Sequence, residues 1–309
     1  MLDTLNIIYS SDDNYCQHLG CSLYSLLDHN QEFTKINIFI VSNGISQENH
    51  HKLNVVADHF RNTSLYFIDF SIWLNHLKLD MAWNISLSSY ARLFVSSMLP
   101  KDIERVIYLD CDMIIESSLN YLWNINLNGF IIGAVQDCMS FRFKEPVGLD
   151  RYDQYFNAGM LLIDLNEWRK QKIEKKCLDF INNRNGRVIH HDQGVLNGIL
   201  KDKWLRLPLE YNLMTIHYVF SLDKIKKYFG DRATFYSKEE IDKAKEHPVI
   251  LHFTPSFTTR PWVKGCVHPL KNKYWDILNK TPWKGTKTSS DNRKWYVKLI
   301  EWRYRVFRF

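Results

Sequence analysis

Two carboxylates one residue apart, Asp110 and Asp112, close the apolar run Val106-Ile107-Tyr108-Leu109. In extended backbone, residues i and i+2 point to the same side. The pair can therefore grip one divalent cation and leave its remaining positions to phosphate oxygens. The same two acids would serve equally as a solvated turn at a strand end. A second polar cluster, Ser10-Ser11-Asp12-Asp13-Asn14, closes the apolar run Leu5-Asn6-Ile7-Ile8-Tyr9 in the same way. His190-His191-Asp192 has metal-ligating residue types but poor geometry. Adjacent histidines point apart on a strand and lie about 100° apart on a helix. No G-x-G-x-x-G follows a strand-like run, and no G-x-x-x-x-G-K-[ST] occurs. The glycine-loop routes to phosphate are thereby excluded. A sheet that binds a diphosphate without such a loop needs another positive charge, which a carboxylate-held cation supplies.

These residues need elements to hold them. Strand-like runs at Leu5–Tyr9, 36–41, 65–68 and 106–109 alternate with helical patterns. Tyr15, Leu19, Leu23, Leu26 and Leu27 recur at helical spacing behind Asp12 and Asp13, which suit an N-cap. Leu53, Val56, Ala57 and Phe60 define the next helical face, from Ser46. Alternation of this kind predicts an α/β chain with a mostly parallel, doubly wound sheet. Ligands bind beyond the carboxyl ends of such strands, which points to residues 10–14 and 110–112. Later apolar runs follow Phe156-Asn157-Ala158 and end at His252. Residues 255–290 read as loop and turn, and the chain changes character again after about residue 290.

The 309 residues suit one large domain with a small appendage. Hydrophobic residues at 45% and charged ones at 24% fit a globular chain rather than a disordered one. Six cysteines without a C-x-x-C pair argue against structural zinc and for reduced thiols in a cytoplasmic protein. No basic n-region precedes the first apolar run, and no apolar run approaches the length of a membrane span. The net charge is +6, of which residues 291–309 hold six basic minus two acidic side chains, or +4. The body is close to neutral, so a continuous nucleic-acid phosphate track is excluded.

Collinear segments give the chain a family likeness. They are Ile8-Tyr9-Ser10-Ser11-Asp12-Asp13-Asn14-Tyr15, Ser89-Tyr90-Ala91-Arg92-Leu93, 106–112, 156–163, His191-Asp192-Gln193-Gly194-Val195-Leu196-Asn197, and His252-Phe253-Thr254 with Arg260-Pro261-Trp262. Across roughly residues 4–275 the chain resembles the family 8 retaining glycosyltransferases, which include bacterial lipooligosaccharide galactosyltransferases and the glycogenins. The resemblance implies a GT-A fold that binds a UDP-sugar through Mn²⁺ or Mg²⁺. Asp110, Asp112 and His252 would ligate the ion, an imidazole beside carboxylates suiting Mn²⁺ better. Ser10, Asp12, Asn14 and Tyr15 would hold the nucleoside, or else form an N-cap cluster with a buried tyrosine. Arg92 would sit by the phosphates or the metal-binding acids, or make an ordinary salt bridge. Asp137 and Asn157 would contact donor sugar or acceptor, and Asp192 sugar hydroxyls. Gln193 would lie by the anomeric carbon, its amide oxygen facing a developing oxocarbenium ion. Retention can proceed by double displacement or by a front-face route; glutamine is a poor covalent nucleophile, which favours the front-face route. The family's His-x-x-Gly-x-x-Lys-Pro-Trp segment departs here: it is two residues longer, with Pro255 for glycine and Arg260 for lysine. Arginine can still pair with phosphate.

The expected activity is transfer of galactose or glucose from UDP-hexose to a saccharide or lipid-linked acceptor of bacterial lipopolysaccharide or capsule. A non-catalytic nucleotide-sugar-binding protein is the alternative. Residues 1–275 would form the catalytic domain and 276–309 a basic tail. In the tail, Trp295, Leu299, Trp302, Val306 and Phe309 draw one helical stripe beside Lys294, Lys298, Arg305 and Arg308. Such a helix suits an anionic membrane surface, placing the protein peripherally at the inner face of the plasma membrane. The competing reading docks this helix on the body.

Overall fold

The computed structural model describes residues 2–80, 87–230 and 235–306. Among these residues ten strands form two sheets. The strands are β1 (Leu2–Asp12), β2 (Phe33–Asn43), β3 (Thr63–Asp69), β4 (Arg105–Leu109), β5 (Met113–Ile115), β6 (Ile132–Gln136), β7 (Phe156–Asp164), β8 (Trp204–Arg206), β9 (Leu213–Met214) and β10 (Ile250–His252). The large sheet runs β3-β2-β1-β4-β7-β6-β8, and the small one β5-β10-β9. β3, β2, β1 and β4 pair in parallel, as do β6 and β8. Only β7 runs against its neighbours β4 and β6. The sheet is mostly parallel, as the alternation of elements predicts, with one reversed strand inserted.

Both faces of the large sheet are covered, which is why its strands read as unbroken apolar runs. Ile7, Tyr9, Ile107 and Leu109 face the helices Cys16–Asp28 and Gln47–Ala57 through Leu19, Leu23, Leu26, Leu53 and Val56. Ile8, Val106 and Tyr108 point the other way, toward Tyr90, Trp168, Ile173, Cys177 and Val195. The period of two along each strand sorts these sets. All six cysteines are buried and unpaired.

Local signals behave as their chemistry requires. Asp12 accepts from the backbone N–H of Tyr15 at 3.2 Å, and Ser46 caps its helix through Asn49. Two expectations need correction. β1 does not stop at Tyr9: Ser10, Ser11 and Asp12 continue the ladder opposite Val41, Ser42 and Asn43. Polar side chains ended the apolar pattern there, but the backbone kept pairing. The stretch 255–290 is not all loop, because the helix Lys271–Leu278 lies within it with Tyr274 and Leu278 buried. The expected boundary at residue 275 falls inside that helix.

Candidate functional site

The chain leaves the large sheet at the end of β4, crosses through Asp110, Cys111 and Asp112, and enters the small sheet as β5. There β10 pairs antiparallel to β5, with His252 opposite Met113. Phe253 N–H donates to the Asp112 carbonyl at 2.9 Å. This pairing carries His252 to the acids. Its Nε2 lies 3.2 Å from Asp112 Oδ1 and 4.0 Å from Asp110 Oδ2. One ligand atom from each of the three residues fits within a 4.8 Å span. Two carboxylates and an imidazole so converged suit a divalent first-row ion, so the residues present fit the expected metal.

Gly159 makes room for this cluster. A Cβ there would sit 2.5 Å from His252 Cε1 and 2.9 Å from Asp110 Oδ2. His190-His191-Asp192, by contrast, forms no such group among the described residues. Phe143 stacks on His190, whose Nδ1 lies 3.2 Å from Tyr155 Oη.

Two arginines grip the acids from opposite sides. Arg92, on the 3-10 helix Leu87–Phe94, is buried and reaches Asp110 Oδ1 with Nη2 at 2.7 Å and Asp192 Oδ2 with Nε at 2.8 Å. Its Nη1 donates to the Ala158 carbonyl, and its guanidinium lies over the Tyr108 ring at 4.4 Å. The two readings of Arg92 thus merge: it makes a buried ion pair, and the partner is Asp110. Arg260 donates to Asp112 Oδ2 from both Nε and Nη2, each at 2.9 Å. Burial pushes the Asp110 pKa up; Arg92 opposes the rise and Asp112 adds to it. Burial acts on Asp112 in the same direction, but Arg260 and His252 outweigh it and hold that carboxyl well below the usual range.

A cleft of ≈ 230 Å³ opens over these groups. Of the residues expected at a nucleotide, Ser10, Asp12, Tyr15, Arg92 and Arg260 line it together with Asp110 and Asp112. Asn14 does not; it stands exposed in the turn after β1. Ser88, Ser89 and Tyr108 line the cleft as well; the last two fall in the matching segments, but the sequence assigns none of them a role. Burial pushes the Tyr15 hydroxyl pKa up to about 12, with Arg260 opposing. Trp262 packs rather than walls the cleft: it is buried and stacks on His18 with centroids 3.7 Å apart.

The remaining candidates gather around an irregularity in β7. The β6–β7 register shifts between Ala134 and Val135, whose partners are Leu161 and Asn157. A bulge of this kind leaves backbone groups outside the ladder. Ala158 N–H donates to Gln193 Oε1 at 3.0 Å, and Gly159 N–H to Asn157 Oδ1 at 3.0 Å. Asn157 Nδ2 and Gln193 Nε2 both donate to Asp137 Oδ2, at 3.1 and 3.2 Å. Burial raises the Asp137 pKa, and these two amides partly offset it. Asp192, at the start of the helix His191–Ile199, reaches the same neighbourhood through Arg92. Asp137 and Asn157 also line a second cavity of ≈ 120 Å³, whose other walls include Met214, Ile216, Phe229 and Phe257. Asn212, fully buried, hydrogen-bonds both His252 and Asn157. Nothing in its local sequence marks it.

The helix Trp295–Val306 meets the body through its less exposed edge. Arg293 pairs with Asp291 and Glu301, and Lys224 donates to the Arg305 carbonyl. Trp295, Leu299, Trp302 and Val306 are all exposed, Trp295 to 74%. Trp295, Leu299 and Val306 are thus open to solvent, and Arg308 and Phe309 lie outside the described residues. Ser289, just before this helix, bridges to Val263 and accepts from Lys264 N–H at 2.9 Å. The Arg260 segment and the tail are thereby tied together. Among the described residues no helix is long and apolar enough to cross a membrane.

The family model "Glycosyl transferase family 8" matches residues 6–266. General stress protein A of Bacillus subtilis is 26% identical over 284 residues, covering 91% of this chain and 95% of that protein. The lipopolysaccharide 1,2-glucosyltransferase of Escherichia coli is 28% identical over 286 residues, covering 91% and 80%. The crystal structure of the galactosyltransferase LgtC with donor and acceptor sugar analogs superposes with a TM-score of 0.72. It is 24% identical, covers 90% of this chain and 96% of its own, and is a likeness of fold.

Proposed function

The chain belongs to glycosyl transferase family 8 and is a glycosyltransferase, and from that premise we propose a metal-dependent, retaining enzyme that moves galactose or glucose from a UDP-hexose. The acceptor is a saccharide or lipid-linked saccharide of bacterial surface polysaccharide. The convergence of Asp110, Asp112 and His252 beneath a cleft flanked by Arg260 carries this reading. The E. coli relative's name supports a hexose donor and a lipopolysaccharide acceptor.

Asp110, Asp112 and His252 hold the ion, Mn²⁺ or Mg²⁺, which supplies Lewis-acid stabilisation of charge on the departing diphosphate. Ser10, Asp12 and Tyr15 flank the nucleoside, with the tyrosine face available for stacking. Arg260 turns from Asp112 to the diphosphate, where its planar fork matches phosphate oxygens. Asp192 and Asn157 bind sugar hydroxyls. Gln193 stands by the anomeric carbon and presents its amide oxygen to the oxocarbenium-like transition state. Asp137 holds the amides of Gln193 and Asn157 in place. In the front-face route the leaving phosphate accepts the proton of the attacking hydroxyl, so configuration is retained without a protein nucleophile.

A panel of UDP-sugars with Mn²⁺ tests this directly. UDP release is expected from UDP-galactose or UDP-glucose, rising on addition of acceptor glycolipid. UDP binding with no release from any donor would replace this reading with a non-catalytic nucleotide-sugar-binding protein.

The tail belongs to the same proposal, as a membrane-surface helix appended to the catalytic unit that places the enzyme at the inner face of the plasma membrane. Its support is the exposure of Trp295, Leu299 and Val306 beside Lys298, Arg303 and Arg305, since aromatic and basic side chains together suit an anionic interface. Removing residues 294–309 spares the Ser289 bridge to Val263. That variant is expected to stay in the supernatant when sedimented with anionic vesicles, while the full chain pellets and both hydrolyse donor alike. Pelleting of the shortened chain would exclude the tail as the anchor.

A further inference from the structure

We propose that Asn212 is a positioning residue that fixes the tautomer of His252 and links the metal cluster to the sugar-side amides. The backbone N–H of Gly159 can only donate, and it meets Asn157 Oδ1 at 3.0 Å. This settles which end of the Asn157 amide is oxygen, and its Nδ2 then faces the Asp137 carboxylate at 3.1 Å. Asn157 Oδ1 also accepts from Asn212 Nδ2 at 2.9 Å. The Asn212 amide is thereby oriented as well, and its Oδ1 faces His252 Nδ1 at 2.8 Å. A carbonyl oxygen accepts and cannot donate, so Nδ1 carries the hydrogen. In the neutral ring the lone pair is left on Nε2, which points at Asp112 and Asp110.

One backbone N–H thus sets the polarity of three successive side chains. The chain of bonds is shielded: Asn212 is 0%, His252 4% and Asn157 7% exposed. Water does not compete for it, and an amide flip would bring oxygen to oxygen at a buried site. A ring nitrogen lone pair aimed at two carboxylates is an arrangement that a cation between them completes. Partners on the far nitrogen of a metal-binding histidine orient the ring in this way and tune its basicity. Through Asn157 and Asp137 the same chain reaches Gln193. The ion and the reacting centre are therefore held by one continuous set of bonds.

The inference rests on the reading of Asp110, Asp112 and His252 as metal ligands, and the test separates the two. Mn²⁺ alone is titrated into the full chain, with the free ion followed by electron paramagnetic resonance. Asn212→Leu removes both bonds at similar volume and is expected to weaken Mn²⁺ binding about 10–100-fold. Asn212→Asp keeps an acceptor for His252 Nδ1–H but sets oxygen against Asn157 Oδ1. It is expected to hold Mn²⁺ within about threefold of the parent chain while kcat for UDP release falls about tenfold or more. Nitrogen-15 chemical shifts of His252 in the metal-free parent chain are expected to show hydrogen on Nδ1 and none on Nε2. Unchanged Mn²⁺ affinity in a folded Asn212→Leu chain would overturn the proposal. So would hydrogen on Nε2 in the neutral parent ring, a readout that stands even where the leucine variant fails to fold. A parent chain that binds no Mn²⁺ yet shows the Nδ1–H tautomer would instead remove the metal reading and leave the orientation by Asn212 intact.

Discussion

Asp112→Ala is expected to lower UDP release by roughly 10²–10³-fold, the range for losing one preorganised electrostatic group at a reacting centre. Asp112 is the acid on which the site's nitrogen groups converge: His252 Nε2 lies near Oδ1, and Arg260 meets Oδ2 through two nitrogens. Its carboxyl is held charged by those neighbours despite burial. Under the proposed metal reading, removing it would take one of three ligands from the ion, and it breaks the ion pair with Arg260. EDTA is expected to reproduce the loss in the unaltered chain, and added Mn²⁺ to reverse it. Steady-state UDP release, with folding followed by circular dichroism, checks both. A folded alanine variant that keeps a tenth of its activity, or a chain indifferent to EDTA, would show that the acids are structural.

Gln193→Ala is expected to have an effect of similar size but different character. Its kcat should fall roughly 10²–10³-fold while UDP affinity changes less than about threefold, the pattern of an interaction made in the transition state. Gln193 does not line the cleft over the acids; it bonds Ala158 N–H and Asp137. The truncation leaves a buried backbone N–H unpaired, which costs about 1–3 kcal/mol of stability. Thermal unfolding should therefore be read beside kinetics. If turnover and UDP affinity fall together and in step with stability, Gln193 only braces β7.

The parts of the site that are local in sequence are legible there. An apolar strand running into two acids can be read from residues 106–112 alone, because strand period and strand end fix where the side chains point. The cap at Asp12, the buried faces of the first two helices and the stripe of the tail follow from the same short-range rules. His252 is different. Its place beside Asp112 depends on β10 pairing with β5, a contact across more than a hundred residues that periodicity cannot express; only the family resemblance pointed to it. The bulge that frees Ala158 and Gly159 depends on the register of β6, and Asn212 depends on both sheets at once. The helix Lys271–Leu278 was lost in a stretch rich in lysine and proline, although Tyr274 and Leu278 stand at helical spacing. Asn14, whose residue type suited a nucleoside, stands exposed beyond the last ladder pair of β1 and is not among the residues lining the cleft.

Gly159 shows what kind of information is easiest to miss. Glycine usually signals a backbone that other residues cannot adopt, yet Gly159 is not among the residues with positive φ. Alanine would suit its conformation and fail on space alone, because the missing carbon is the volume that His252, Asp110 and Asn157 share. The glycine is a mould for the site, a hollow that the chain writes by leaving an atom out. A catalytic centre of this kind is specified as much by where side chains stop as by which ones are present. A count of ligand-type residues records only half of that specification.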